Sequence, residues 1–229
     1  MEIKNIVVCG DSFCSAEFFR PNSHFSELLA IDHGYRVKNL ARGGISNTGI
    51  CYQIKTAIEL KADLILFNTT DSNRLDIPIK PFDSTVGLKN FIYPYESDVS
   101  STSPHVGDVT ANIYSDNVFS ILKSRPDLPE HIIEQLSKKK EAIKYYLTEL
   151  QDSALKSETE TWMFGYWESV MKSAGIEFLQ LNKSPVWTHI NLYVLENPDK
   201  LTQCVYHTDE LTQQLVANSL KEYIDNLTR

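Results

Sequence analysis

Cysteine is sparse and unclustered in this chain of 229 residues: Cys9, Cys14, Cys51 and Cys204 stand apart, with no Cys-x-x-Cys pair. The spacing speaks against zinc-ribbon and thioredoxin-like redox chemistry, and a disulfide framework is not indicated for a chain of this size in a reducing compartment. Basic charge is also short. With 22 Lys and Arg against 30 Asp and Glu, the formal net charge is -8, the opposite of what neutralising nucleic-acid phosphates requires. The densest basic run, Lys138 to Lys140, is flanked by Glu134, Glu141 and Glu149 and reads as a solvated helix face.

Long apolar runs are missing as well. No stretch approaches the ~20 residues that span a bilayer, so no membrane partner is expected. The start Met1-Glu2-Ile3-Lys4 lacks a signal-peptide pattern, and the first apolar run is taken up by a strand, so a cytoplasmic protein is expected. His24, His33, His105, His131 and His189 show no mutual ligand spacing. Each reads as surface or structural, with His189 the one to watch as a substrate contact, and no metal is expected. No internal repeat is visible.

What is present is a strand–helix rhythm. Ile3 to Cys9 is an apolar, β-branched strand that stops at Gly10-Asp11-Ser12. A helix follows over Asn22 to Ala30, capped by Asn22 or Ser23 and ended by Gly34. Tyr35 to Leu40 alternates as a strand and runs into the glycine turn Ala41 to Asn47. The next helix, capped by Ser46 or Asn47, carries Ile50, Ile54 and Ile58 at helical spacing. Asp63 to Phe67 is a continuous apolar strand of the kind a parallel sheet covers on both faces. It leads into Asn68-Thr69-Thr70-Asp71-Ser72-Asn73-Arg74. From Asp76 to about Pro129 the rhythm breaks in a Pro-, Ser-, Asp- and Tyr-rich segment, which reads as a lid, binding loop or insert.

Two helices come next. One runs from about Pro129 to Asp152, with Ile133, Leu136, Ile143, Leu147 and Leu150 inward. The other runs from about Glu160 to Ala174, with Trp162, Tyr166, Trp167, Val170 and Met171 as a core stripe rather than a sugar platform. Ile176 to Leu181 is the fourth strand. After an irregular stretch, His207 to Glu210 opens a terminal helix with Leu211, Leu215, Val216, Leu220, Tyr223, Ile224 and Leu227 facing the core. Alternation of this kind implies right-handed crossovers and one parallel sheet. The expected fold is a three-layer α/β/α sandwich, a single domain over residues 1–229 with an insert or lid at about 76–130.

A strand ending in Gly10-Asp11-Ser12 presents a hydroxyl at the carboxyl end of the sheet, where open α/β folds bind ligands. These residues resemble the first block of the SGNH (GDSL-type) hydrolases. The loop Asn39 to Asn47, with Gly44 the best match, is similar to that family's second block, and His207 stands where its last block places a histidine. The resemblance covers the chain except for about Asp76 to Pro129. It implies a flavodoxin-like strand order, Ser12 as nucleophile and His207 as general base. It further implies an oxyanion hole from the backbone N–H groups of Ser12 and Gly44 with an Asn side chain, Asn73 first and Asn68 second.

The chain departs from the family in two places. Its third block usually reads Gly-x-Asn-Asp, against Asn68 to Arg74 here; the Thr70-x-x-x-Arg74 pattern resembles a variant of phage-encoded members. Its last block is Asp-x-x-His, and here Cys204 stands three residues before His207. A thiol cannot orient an imidazolium as a buried carboxylate does. A backbone carbonyl, Asp199 or Asp209 are the substitutes the sequence offers. Two functions therefore stand side by side. One is a cofactor-free esterase acting on small esters or O-acetyl groups of carbohydrates. The other is a binding or structural protein on the same fold, for example a phage-associated one, that has lost turnover and recognises a glycan or a protein.

Overall fold

The computed structural model describes residues 2–11, 13–15, 22–41, 45–70, 72, 75–76, 110–111, 134, 138, 142, 145–184 and 210–228. Four strands, β1 (Asn5–Cys9), β2 (Arg36–Asn39), β3 (Leu64–Phe67) and β6 (Glu177–Gln180), form one sheet in the order β2-β1-β3-β6. All its pairings are parallel, with Ile6 opposite Leu64, Val8 opposite Asn39 and Leu66 opposite Leu179. This is the flavodoxin-like order. Two short strands, β4 (Leu75–Asp76) and β5 (Thr110–Ala111), pair antiparallel in the stretch where the sequence shows no period.

The helices α1 (Phe25–Ile31), α2 (Asn47–Glu59), α3 (Ser153–Ser173) and α4 (Glu210–Leu227) cover both faces of this sheet. Because successive strand side chains alternate, β1 and β3 supply two separate cores. Ile6, Val8, Leu64 and Leu66 pack with Phe25 and Leu29 of α1 and Val216, Leu220 and Ile224 of α4. Val7, Cys9, Ile65 and Phe67 pack with Ile50 and Ile54 of α2 and Phe164 and Met171 of α3. Burial on both faces is why these strands are unbroken apolar runs. Among the described residues no helix is long and apolar enough to cross a membrane.

Several expectations change at the helices. The N-cap of α1 is His24, not Asn22 or Ser23: its ring accepts the Ser26 N–H while the Glu27 side chain accepts the His24 N–H, a reciprocal capping box. Asn22 instead adopts a positive φ of 66°. Gly34, at φ 74°, donates its N–H to the Ala30 carbonyl and ends the helix in the left-handed form. Of the two cap candidates for α2, Ser46 is the cap, accepting the Gly49 N–H.

Helix α3 starts seven residues before the expected Glu160, where the Asp152 carboxylate accepts the Ala154 and Leu155 N–H groups. It buries Glu160, Phe164 and Met171, with Trp167 partly covered. Trp162 and Tyr166 are 64% and 62% exposed and are not core. Each lies two residues from a buried position, about 200° around the helix. Leu150, expected inward, is exposed at the end of a single π-helical turn, Tyr146–Leu150.

Leu211 and Leu215 of α4 are likewise exposed, whereas Thr212, Gln213 and Val216 face inward. The phase has a polar cause: the Gln213 side-chain oxygen accepts the Phe25 N–H at 2.8 Å, satisfying a first-turn donor of α1. Lys138 pairs with Glu134 at 2.7 Å on an exposed helical surface, as the charge pattern suggested.

Candidate functional site

The strand order sets where a ligand site belongs. The chain leaves β1 toward β2 on one side, then crosses to β3 on the other. The order therefore reverses between β1 and β3, and the carboxyl ends of these two strands are where open α/β sheets of this order bind their ligands. Gly10 and Asn68 are the residues immediately after those two strands.

Gly10 takes φ 147° and donates its N–H to the Gln53 side-chain oxygen at 2.7 Å. A Cβ there would lie 2.9 Å from Cys14 Sγ, 3.0 Å from Cys14 Cβ and 3.3 Å from Asn68 Cβ. Only glycine fits a backbone packed this closely. Asp11 follows, 2% exposed. Its carboxylate accepts the Phe13 N–H at 3.1 Å, and its carbonyl accepts the N–H groups of Cys14 and Ser15 at 3.0 and 3.1 Å. Asp11 thus caps one helical turn directly after the strand.

Both helix layers hold this turn. From the α1 side, Asn39 at the end of β2 donates to the Cys14 carbonyl at 2.7 Å and to Ser26 Oγ at 3.0 Å. Ser26 Oγ is 2.8 Å from the His24 ring, so His24 serves structure, as expected. From the other side, Thr70 donates its hydroxyl to the second Asp11 oxygen at 2.8 Å. The Asn47 amide grips the Thr70 backbone at both its N–H (2.8 Å) and its carbonyl (3.0 Å), and donates to Glu160 at 2.8 Å. Next to this, Gln180 and Asn182 donate to Thr69 Oγ1.

Asn68 is buried and donates its backbone N–H to the Cys9 carbonyl, and its side-chain oxygen has no partner among the described residues. An unmade bond of that kind costs about 1–3 kcal/mol. Such costs concentrate where a chain serves something other than stability. The thiols nearby are inert. Burial pushes the Cys9 and Cys14 thiols well up, and Cys51, with Glu160 adding to burial, is pushed up to about 12. All three are free and buried, so none is a thiolate nucleophile. Among the described residues no cluster of His, Cys, Asp and Glu could hold a metal.

Of the residues singled out from sequence, Asn68 stands directly after β3, and Gly10 and Asp11 directly after β1. Ser12, Gly44, Asn73 and His207 lie outside the described residues, as do Cys204, Asp199 and Asp209. Sequence reasoning missed Gln53, Asn47, Thr70 and Glu160. Their partners are 23 to 113 residues away in the chain, and no local pattern announces them. The one available signal was polarity out of place: Asn47 and Gln53 open and interrupt an otherwise apolar helix face.

No protein-family model matches the chain, and no curated protein matches it. Among solved structures it is similar to the "Structure of a putative lipolytic protein of G-D-S-L family from Desulfitobacterium hafniense DCB-2". The identity is 12%, the TM-score 0.37, and the match covers 94% of this chain and 96% of that one. The strand order and the turn after β1, not this likeness, carry the functional reading.

Proposed function

We propose that the protein is a serine ester hydrolase. Ser12 Oγ attacks the carbonyl of a small ester or of an O-acetyl group on a carbohydrate, and His207 accepts the hydroxyl proton. The tetrahedral oxyanion is received by the backbone N–H groups of Ser12 and Gly44 and by the Asn73 or Asn68 amide. Collapse expels the alcohol, protonated by His207, and water then releases the acid from the acyl-enzyme. The chemistry calls for no metal or organic cofactor. With Cys204 in place of the family's acid, a backbone carbonyl or the carboxylate of Asp199 or Asp209 orients His207.

The observation that carries this reading is the turn at Gly10 and Asp11. It lies at the carboxyl end of β1, where the strand order reverses, and Asp11 closes it by accepting three successive N–H groups from Phe13, Cys14 and Ser15. The residue between Asp11 and Phe13 in the sequence is Ser12, whose hydroxyl this reading assigns as the nucleophile.

A fluorophosphonate probe tests it. Wild type is expected to be labelled and Ser12→Ala to remain unlabelled. His207→Ala should lower p-nitrophenyl acetate turnover by roughly 10³-fold or more. Equal labelling of wild type and Ser12→Ala, or none on folded wild type, overturns the reading in favour of a binding protein on the same fold.

A further inference from the structure

The bonds from Asp11 to Thr70, Asn47 and Glu160 run in one unbroken line from the turn after β1 to the middle of α3. Asp11 receives the Thr70 hydroxyl, Thr70 is clamped at N–H and carbonyl by Asn47, and Asn47 donates its remaining amide hydrogen to Glu160. Asp11, Asn47 and Glu160 are all buried, Glu160 at 7% exposure, with Lys156 at 3.9 Å. Buried carboxylates are costly unless their partners are fixed. Here two carboxylates from distant elements stand at either end of one neutral bridge. Neither end belongs to the apolar cores that hold the sheet together.

We infer that Thr70 is a positioning residue, and that the line Glu160–Asn47–Thr70–Asp11 sets the geometry of the turn after β1 from helix α3. Asp11 has two oxygens with separate duties. One accepts the Phe13 N–H and shapes the turn, and the other, held by Thr70, fixes the carboxylate plane so that the first is aimed correctly. Losing the Thr70 hydroxyl takes one donor from a buried carboxylate and loosens the hold on its plane. The loosening is read at the amides of Phe13, Cys14 and Ser15, and in the strands only as the loss of global stability. In the proposed hydrolase the same loosening misaims Ser12, so the activity arm of the inference rests on that reading while the structural arm does not.

The experiment is amide hydrogen exchange on the full chain, with fluorophosphonate labelling rates beside it. Thr70→Val, which keeps the shape and removes the hydroxyl, should speed exchange at Phe13, Cys14 and Ser15 about tenfold. Exchange at Val7, Val8 and Ile65, which follows global stability, should rise only by the factor that urea unfolding of the same variant gives. Thr70→Ser should restore the slow exchange. Glu160→Leu, at the far end, should speed the same three amides, and it serves alone if Thr70→Val does not fold. If wild type labels, Thr70→Val should lower the p-nitrophenyl acetate kcat about tenfold at unchanged KM, with rescue by Thr70→Ser. Faster turn exchange in a protein that never labels upholds the positioning line and removes the hydrolase. Unchanged exchange at the three amides in a folded Thr70→Val, or in Glu160→Leu where the valine variant does not fold, overturns the line whatever the labelling.

Discussion

The two ends of the sheet solve the same problem in opposite ways. At the amino end, one carboxylate ties the strands: Asp63 accepts the N–H groups of Lys4 and Asn5 and the Asn5 side-chain amide at 2.8–3.1 Å, near solvent. At the carboxyl end, Asp11, Asn47, Asn68 and Glu160 are buried, and the loops after three strands are laced together across long sequence distances. The first arrangement is inexpensive and local. The second takes several polar groups out of water, which a fold does not need for stability alone. The difference is what favours the carboxyl end for the proposed site.

The comparison breaks most sharply at Gly10. An alanine there meets Cys14 at 2.9–3.0 Å and must hold φ 147°, so strain and overpacking add. Gly10→Ala is expected to cost about 4 kcal/mol, which lowers the melting midpoint of a chain this size by about 10 °C. Adding Cys14→Ala removes the sulfur contact but neither the Cβ contact nor the backbone strain. Scanning calorimetry should therefore show only partial recovery.

The same contrast explains what was legible in the sequence. The strands were readable because burial on both faces leaves Val7-Val8-Cys9 and Leu64-Ile65-Leu66-Phe67 as unbroken apolar runs. The end of the sheet at which a site is proposed followed from where β1 stops. His24 as a cap was not readable, because histidine is outside the usual capping set and acts here through a ring nitrogen. Trp162, Tyr166, Leu211 and Leu215 looked like core because periodicity gives a stripe but not its phase. Phase is fixed by tertiary bonds such as Gln213 to Phe25. The lacing from Asp11 to Glu160 is wholly tertiary, so only the polar residues at its nodes left a trace.

A second break comes from alkali and strikes the carboxyl end. Cys9 and Cys14 flank the turn and Cys51 packs behind it. All three thiols are raised by burial above the 9.0 of an unfolded cysteine, Cys51 to about 12. A raised thiol contributes stability that is fully present below the unfolded value and is lost as pH rises beyond it, because only the unfolded state gives up the proton. Each thiol should cost between about 1 and 1.5 kcal/mol at pH 10, so urea unfolding should show a loss of about 4 kcal/mol relative to pH 8. Cys51→Ala should remove about a third of that pH dependence.

The smallest effect sharpens the comparison from the amino end, with the opposite sign. Burial works against the charge of Asp63, but the N–H donors of Asn5 and Lys4 outweigh it and hold the carboxyl below its usual 3.8. A lowered carboxylate contributes stability that is present above the unfolded value and disappears as pH falls through the folded one. The group is only partly buried, so screening limits the gain, and Asp63→Asn keeps one acceptor oxygen for the strand amides. The expected cost at pH 7 is under about 1 kcal/mol, with wild type and variant converging in urea unfolding as pH falls through the lowered value of the folded carboxyl. Exchange at the Phe13, Cys14 and Ser15 amides should not change, because nothing at Asp63 reaches the turn. An accelerated turn in Asp63→Asn would mean that the two ends are coupled through β1 and β3, and that the carboxyl end is not held by its own lacing alone.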